Sequence, residues 1–232
     1  MPERMNDLER KNFSVAIDGP AGAGKSTLAR RAAQALGFVY VDTGAIYRTV
    51  AFALLSAGVS PDDEAAVARV LPELRVELQW TPDGVQHMLL GGEDVSADIR
   101  RPEISDAASR ASALGCVRAF LLETQRSVAK TNRVIMDGRD IGTVVLPDAD
   151  VKIYLSASAE VRARRRWLEL QAQHRPDSYE AVLQDMKERD WRDMHRSIAP
   201  LKQAEDAIAV DTSDLTLEES VQAMIQVIQE RI

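Results

Sequence analysis

Residues 13–30 read FSVAIDGPAGAGKSTLAR. A β-branched apolar run ends at Asp18, a helix-forming run starts near Lys25, and glycines at 19, 22 and 24 separate them. GPAGAGKS has a glycine, four residues, then Gly-Lys and a hydroxyl residue. After a strand and at the opening of a helix, that spacing makes a loop whose backbone N–H groups curl round a phosphate. The glycines keep side chains out of the curl, and the helix adds the positive end of its dipole. Gly19, Pro20, Ala21, Gly22, Ala23, Gly24, Lys25, Ser26 and Thr27 are therefore expected to hold the phosphates of ATP or a similar triphosphate. Lys25 would reach the outer phosphates, and the Ser26 hydroxyl would ligate Mg²⁺.

Outward from this loop the chain repeats one theme. Short apolar runs end in a polar residue: FSVAID (to Asp18), FVYVD (to Asp42), RVIMD (to Asp137), VKIYLS (to Ser156) and AIAVD (to Asp211). They are nearly continuous rather than alternating, as strands covered on both faces must be. Helical-period segments at 25–36, 44–57, 105–130, 158–173 and 217–231 separate most of them. Strand and helix in alternation predict an α/β fold with a doubly wound, parallel five-stranded sheet of the P-loop NTPase type. Such sheets bind ligands at the carboxyl ends of their strands, where these polar residues fall.

Residues 61–100 break the rhythm. LRVELQW alternates apolar and polar residues, TPDG supplies a turn, and VQHMLL follows. The segment reads as a small antiparallel insertion with one wet face, the alternative being an extra edge of the main sheet. A helix pair, 158–173 and 178–195, is dense in arginine. Asp177 with Glu180, and Thr216 with Glu219, have capping-box spacing.

Composition excludes several classes. A net charge of −7 argues against a long basic surface for a nucleic-acid polymer. The single cysteine, Cys116, can form neither an internal disulfide nor a zinc site alone, and reads as a small buried hydrophobe. His87, His174 and His195 lack metal-ligand spacing and read as surface residues. The opening MPERMNDLERKN has no apolar core of a signal peptide, and no run of about 18 apolar residues occurs. The expectation is a soluble cytoplasmic protein with no membrane partner.

Three triphosphate-using classes remain: a phosphotransferase, a switch GTPase and an ATP-dependent regulatory or motor module. No Asn-Lys-x-Asp guanine reader follows a later strand. Where a motor module usually carries a carboxylate pair to activate water, this chain has DGRD, with an arginine inside it. That points to a second anionic substrate. VDTGAIYR places Thr43 and Arg48 just after the second strand, and DGRD places Arg139 and Asp140 just after the third. In KERDWRDMHR, Arg189, Asp193 and Arg196 are spaced i, i+4, i+7, which puts them on one helix face. The same spacing would also suit a solvated face of Arg–Asp pairs.

GPAGAGKST, DTGAIYR, GEDVS, DGRDIGTVV, PDADVKIYLSAS, KERDWRD and IAPL together resemble the bacterial cytidylate kinases over nearly the whole chain. The resemblance implies one kinase domain, with a core at 13–60, 101–157 and 201–232, a nucleotide-binding insertion at about 61–100 and a short helical lid at about 158–200. The zinc-bearing, long-lid adenylate kinases are excluded by the single cysteine. It further implies that ATP, with Mg²⁺, phosphorylates CMP or dCMP in a monomeric enzyme. A kinase for another nucleoside monophosphate such as UMP, or an ATP-binding regulatory module, is the alternative. Matching positions take roles from the family: Ser109, Arg118 and Asp140 at the cytosine, Arg189 and Asp193 at the ribose, and Arg48, Arg139 and Arg196 at the phosphates. Thr43 joins the CMP-binding set, and Lys25, Arg139, Arg189 and Arg196 are the catalytic candidates. The chemistry agrees, because a carboxylate such as Asp140 can accept from the N4 amino group of cytosine, where uracil has a carbonyl.

Overall fold

The computed structural model describes residues 12–232, so the expectation of no targeting segment at the start falls largely on residues outside it. Its elements are β1 (Phe13–Asp18), α1 (Lys25–Leu36), β2 (Val39–Asp42), α2 (Thr43–Ser56), α3 (Glu64–Val70), β3 (Val76–Trp80), β4 (Gln86–Leu90) and β5 (Glu93–Asp94). There follow α4 (Pro102–Ala111), α5 (Gly115–Thr131), β6 (Arg133–Gly138), β7 (Val151–Ser156), α6 (Ala159–Ala172), α7 (Tyr179–Met194), β8 (Ile208–Asp211) and α8 (Leu217–Gln229).

All five apolar runs become strands of one parallel sheet in the order β2-β6-β1-β7-β8. Their continuity has the expected cause. Val15 and Ile17 of β1 face the layer of α1 and α8, whereas Ala16 between them faces the layer of α2, α4 and α5. All three are fully buried. Each buried valine or isoleucine contributes about 1.5–3 kcal/mol, so a polar residue at either position would unseat the central strand. Asp18, Asp42 and Asp137 then emerge side by side at the carboxyl ends of β1, β2 and β6.

Residues 76–94 form a separate antiparallel sheet, β3-β4-β5, and do not extend the edge of the main one. The TPDG turn is closed by Thr81 and Val85, with Gly84 at φ +80. Helices α6 and α7 lie against each other through Ala163, Leu170, Val182 and Met186. Among the described residues no helix is long and apolar enough to cross a membrane.

Four expectations are corrected. The segment 105–130 is two helices, because the chain leaves helical geometry at Leu114 (ψ 128) and α5 starts afresh at Gly115. The cap of α7 is Ser178, whose hydroxyl accepts from Ala181 N, while Asp177 pairs with Arg175. The box at Thr216 and Glu219 does form. Helix α7 stops at Met194, so Arg196 is not on the helix face of Arg189 and Asp193. Cys116 is half-buried beside the α2 side of the core rather than enclosed in it.

Candidate functional site

At the carboxyl edge of the sheet lies a cleft of about 340 Å³, with the phosphate loop on one side and arginines on the other. The loop has the conformation its sequence requires. A Cβ on Gly19 would sit 2.0 Å from the Leu155 carbonyl oxygen, so no other residue fits against β7 there. Gly24, at φ +88, opens α1 without any side-chain cap, and no acidic residue occupies its first turn. The first N–H groups of α1 thus keep their capacity for an anion. Lys25 Nζ donates to the carbonyls of Gly19 (2.8 Å) and Pro20 (2.7 Å).

Beside the loop, Ser26 Oγ donates to Asp137 Oδ2 at 2.9 Å, and the Tyr40 hydroxyl donates to Asp137 Oδ1 at 2.8 Å. Thr43 Oγ1 donates to the Asp137 carbonyl at 2.7 Å, which ties the start of α2 to the end of β6. Asp18 accepts from the N–H groups of Ile141 and Gly142, both at 2.7 Å. It thereby anchors the π-helical turn Ile141–Val145 that follows Asp140. Burial, reinforced by neighbouring carboxylates, pushes the Asp18 and Asp137 carboxyls up to about 6. Burial and the nearby Arg139 guanidinium hold the Lys25 ammonium well below its ordinary value. An arriving polyanion would oppose that pressure and favour the charged ammonium.

Across the cleft three ion pairs organise the arginines. Arg48 donates to Asp42 at 2.8 Å, Arg139 Nε donates to Asp193 at 2.7 Å, and Arg118 donates to Asp140 where both are buried. Arg118 also donates to the Ser112 carbonyl at 3.1 Å, and Arg196 to the Ser112 hydroxyl at 3.1 Å. The break between α4 and α5 thus supplies two arginine anchors, a feature that the uninterrupted helical period concealed. Arg189 Nε and Arg196 Nε and Nη2 are buried and have no hydrogen-bond partner, and among the described residues neither side chain has an ion pair. Burial and Arg139 lower Arg189; burial is also the main pressure lowering Arg196, against the pull of Asp193. Burial would raise Asp193, yet the Arg139 charge and hydrogen bond hold its carboxyl below the usual range. Arg189 and Arg196 therefore leave the arginine side of the cleft under-compensated, ready to receive phosphate oxygens.

Most of the residues expected from the sequence meet here. Ala21, Gly22, Gly24, Lys25, Ser26 and Thr27 line the loop side. Thr43, Arg48, Ser109 and Arg118 line the wall formed by α2, α4 and α5. Arg139, Asp140, Arg189, Asp193 and Arg196 complete it. Gly19, Pro20 and Ala23 shape the loop from behind without lining the cleft. Several residues escaped the sequence reading, Asp42 beside Arg48 and Ser112 beneath Arg118 and Arg196 among them. Asp137 and Asp18 read only as strand ends. Arg162 read as one of many helix arginines, but it is buried and joins Ala21 O (2.9 Å), Ala157 O (2.8 Å) and Asp190 (2.7 Å). A carboxylate closing a strand next to a phosphate loop was the available signal for Asp137; nothing local marked Arg162.

Comparison with known proteins agrees. The cytidylate kinase family model matches residues 15–230. A cytidylate kinase of Carboxydothermus hydrogenoformans is 48% identical over 92% of this chain and 96% of its own. One of Mycolicibacterium paratuberculosis is 47% identical over 94% and 95%. An uncharacterized protein from Eubacterium ventriosum superposes with a TM-score of 0.54 at 11% identity, covering 94% of this chain and 99% of its own, a likeness of fold alone. With the family model spanning almost the whole chain and relatives of this identity at this coverage, the chain belongs to the cytidylate kinase family.

Proposed function

We propose that the chain transfers the γ-phosphoryl group of ATP to CMP or dCMP, giving ADP and CDP or dCDP. The observation that carries the reading is the meeting of a phosphate loop with Arg48, Arg139, Arg189 and Arg196 in one cleft. ATP would lie with its phosphates in Gly19–Thr27 and CMP opposite them. In this reading Ser109, Arg118 and Asp140 face the base, Arg189 and Asp193 the ribose, and Arg48, Arg139 and Arg196 the acceptor phosphate, with Thr43 at the floor. Residues 61–100 act as the nucleotide-binding insertion and 158–200 as the lid on the remaining core. In this reading the enzyme is cytoplasmic and works as a monomer, since all of these groups come from one chain.

Phosphoryl transfer passes through a loose transition state, so the protein mainly positions the partners and neutralises charge. Lys25 would leave the Gly19 and Pro20 carbonyls for the transferring phosphate, whose negative charge favours the ammonium form. Arg139 and Arg196 would draw the acceptor phosphate into line, and Arg189 would spread the developing charge. Closure of α6 and α7 would exclude the water that could otherwise take the phosphoryl group. Ser26 Oγ and the Asp137 carboxylate, 2.9 Å apart, offer the hard oxygen donors that Mg²⁺ takes. Bound there with ATP, Mg²⁺ would neutralise phosphate charge. No side chain needs to act as a strong base.

A coupled assay of ADP release tests the reading across CMP, dCMP, UMP, AMP and GMP. CMP and dCMP should turn over fastest by kcat/KM. ADP release without an acceptor would point instead to an ATPase module, and a preference for UMP would overturn the base assignment.

A further inference from the structure

Strand β2 is an edge of the main sheet, so its outward N–H and C=O groups need partners from elsewhere. They find them in side chains of the small sheet. The Trp80 indole Nε1 donates to the Tyr40 carbonyl at 3.0 Å. Two residues on, the Asp42 N–H donates to Gln86 Oε1 at 2.7 Å, and Gln86 Nε2 donates to the Asp42 carbonyl at 3.3 Å. The Gln86 amide thus takes the place of a neighbouring strand's peptide group.

Asp42 is the residue that aims Arg48. Its Oδ1 caps α2 by accepting from Ala45 N at 2.9 Å, and its Oδ2 accepts from Arg48 at 2.8 Å. Packing leaves little tolerance, since a Cβ on Gly44 would lie 3.0 Å from Asp42 Oδ1 and 3.1 Å from Arg48 Nη1. We propose that Gln86 is a positioning residue for the acceptor nucleotide: its amide clamps the backbone of Asp42 and, through the Asp42 carboxylate, fixes the Arg48 guanidinium in the cleft. The small sheet then has a mechanical role in acceptor binding through a residue that does not line the cleft. The proposal rests on the reading of Arg48 as a ligand of the acceptor phosphate.

The test is steady-state kinetics of the full chain with Gln86→Met, Arg48→Ala and both together. Gln86→Met keeps the side-chain length and removes both hydrogen bonds to Asp42. It should raise KM for CMP about five-fold, the size of one net hydrogen bond, with kcat and KM for ATP within about two-fold. In the Arg48→Ala background it should add nothing, because its route to the substrate is gone. Amide hydrogen exchange at Asp42 should quicken in Gln86→Met. Unchanged exchange, additive effects, or equal losses for ATP and CMP would overturn the proposal. Should Arg48→Ala raise KM for CMP while Gln86→Met does not, the clamp alone fails. Should Arg48→Ala itself leave KM for CMP unchanged, the assignment of Arg48 fails and takes the clamp's function with it.

Discussion

Arg139 and Asp193 meet at 2.7 Å across 54 residues of chain, joining the end of β6 to the last turn of α7. The bond places a carboxylate of α7 against the guanidinium that follows β6, with Arg189 one turn earlier on α7 and Lys25 close enough to feel the Arg139 charge. Arg189 completes this cluster without an ion pair of its own among the described residues. Arg189→Ala should therefore raise KM for CMP or slow turnover, with little change in KM for ATP. Removing a guanidinium that burial and Arg139 both disfavour should not lower Tm. Wild-type kinetics in this variant would remove Arg189 from the acceptor site and leave it a buried structural guanidinium.

Lys25→Ala should lower kcat by at least about 10²-fold, since a charge on the transferring phosphate is lost. The fold should survive, because the ammonium is buried and its charged form is disfavoured before nucleotide arrives. Thermal unfolding and turnover on one preparation decide the matter. Turnover within a few-fold of wild type would remove Lys25 from the chemistry.

Asp140→Asn tests base choice. The variant offers a donor where uracil has a carbonyl, so the ratio of kcat/KM for CMP over UMP should narrow. The CMP value itself should fall about 10-fold or more, in line with a charged hydrogen bond. Asp140 also holds the buried Arg118, and stripping one partner from such a pair costs about 3–5 kcal/mol. Tm should therefore fall as well. Equal losses for both nucleotides would mean that Asp140 acts only by holding Arg118.

Asp18 and Asp137 set a pH dependence whose sign is unusual for carboxylates. Both are raised to about 6 in the folded chain, so folding favours their protonated forms. Their contribution to stability is present below about pH 4 and is lost as pH rises to about 6. Between about pH 5 and about pH 7, the ligand-free protein should lose more stability than Asp137→Asn does, as read by Tm. Parallel slopes would show that Asp137 titrates at its ordinary value. Asp137→Asn should also raise KM for ATP, because Ser26 loses its charged partner at the loop.

The sheet and the phosphate loop were legible in the chain itself, since both depend on local pattern. A strand covered on both faces must be apolar throughout, and a loop that wraps a phosphate needs Gly19, Gly24 and Lys25 at set intervals. The arginine cluster was legible in kind, because DGRD and KERD sit at strand and helix ends that topology brings to one edge. Its connections were not. The segment around Ser112 keeps a helical period through a break, with no proline to mark it, so the anchors for Arg118 and Arg196 arise only because α4 ends at Ala111 and leaves the Ser112 carbonyl and hydroxyl to accept from them. Arg196 falls on the helix face by spacing, yet α7 ends before it. Asp137 meets Ser26 across 111 residues, and Gln86 meets Asp42 across 44. Such contacts carry no periodic signature: each side chain is satisfied by a partner that only the packed sheet delivers, and burial then sets its charge.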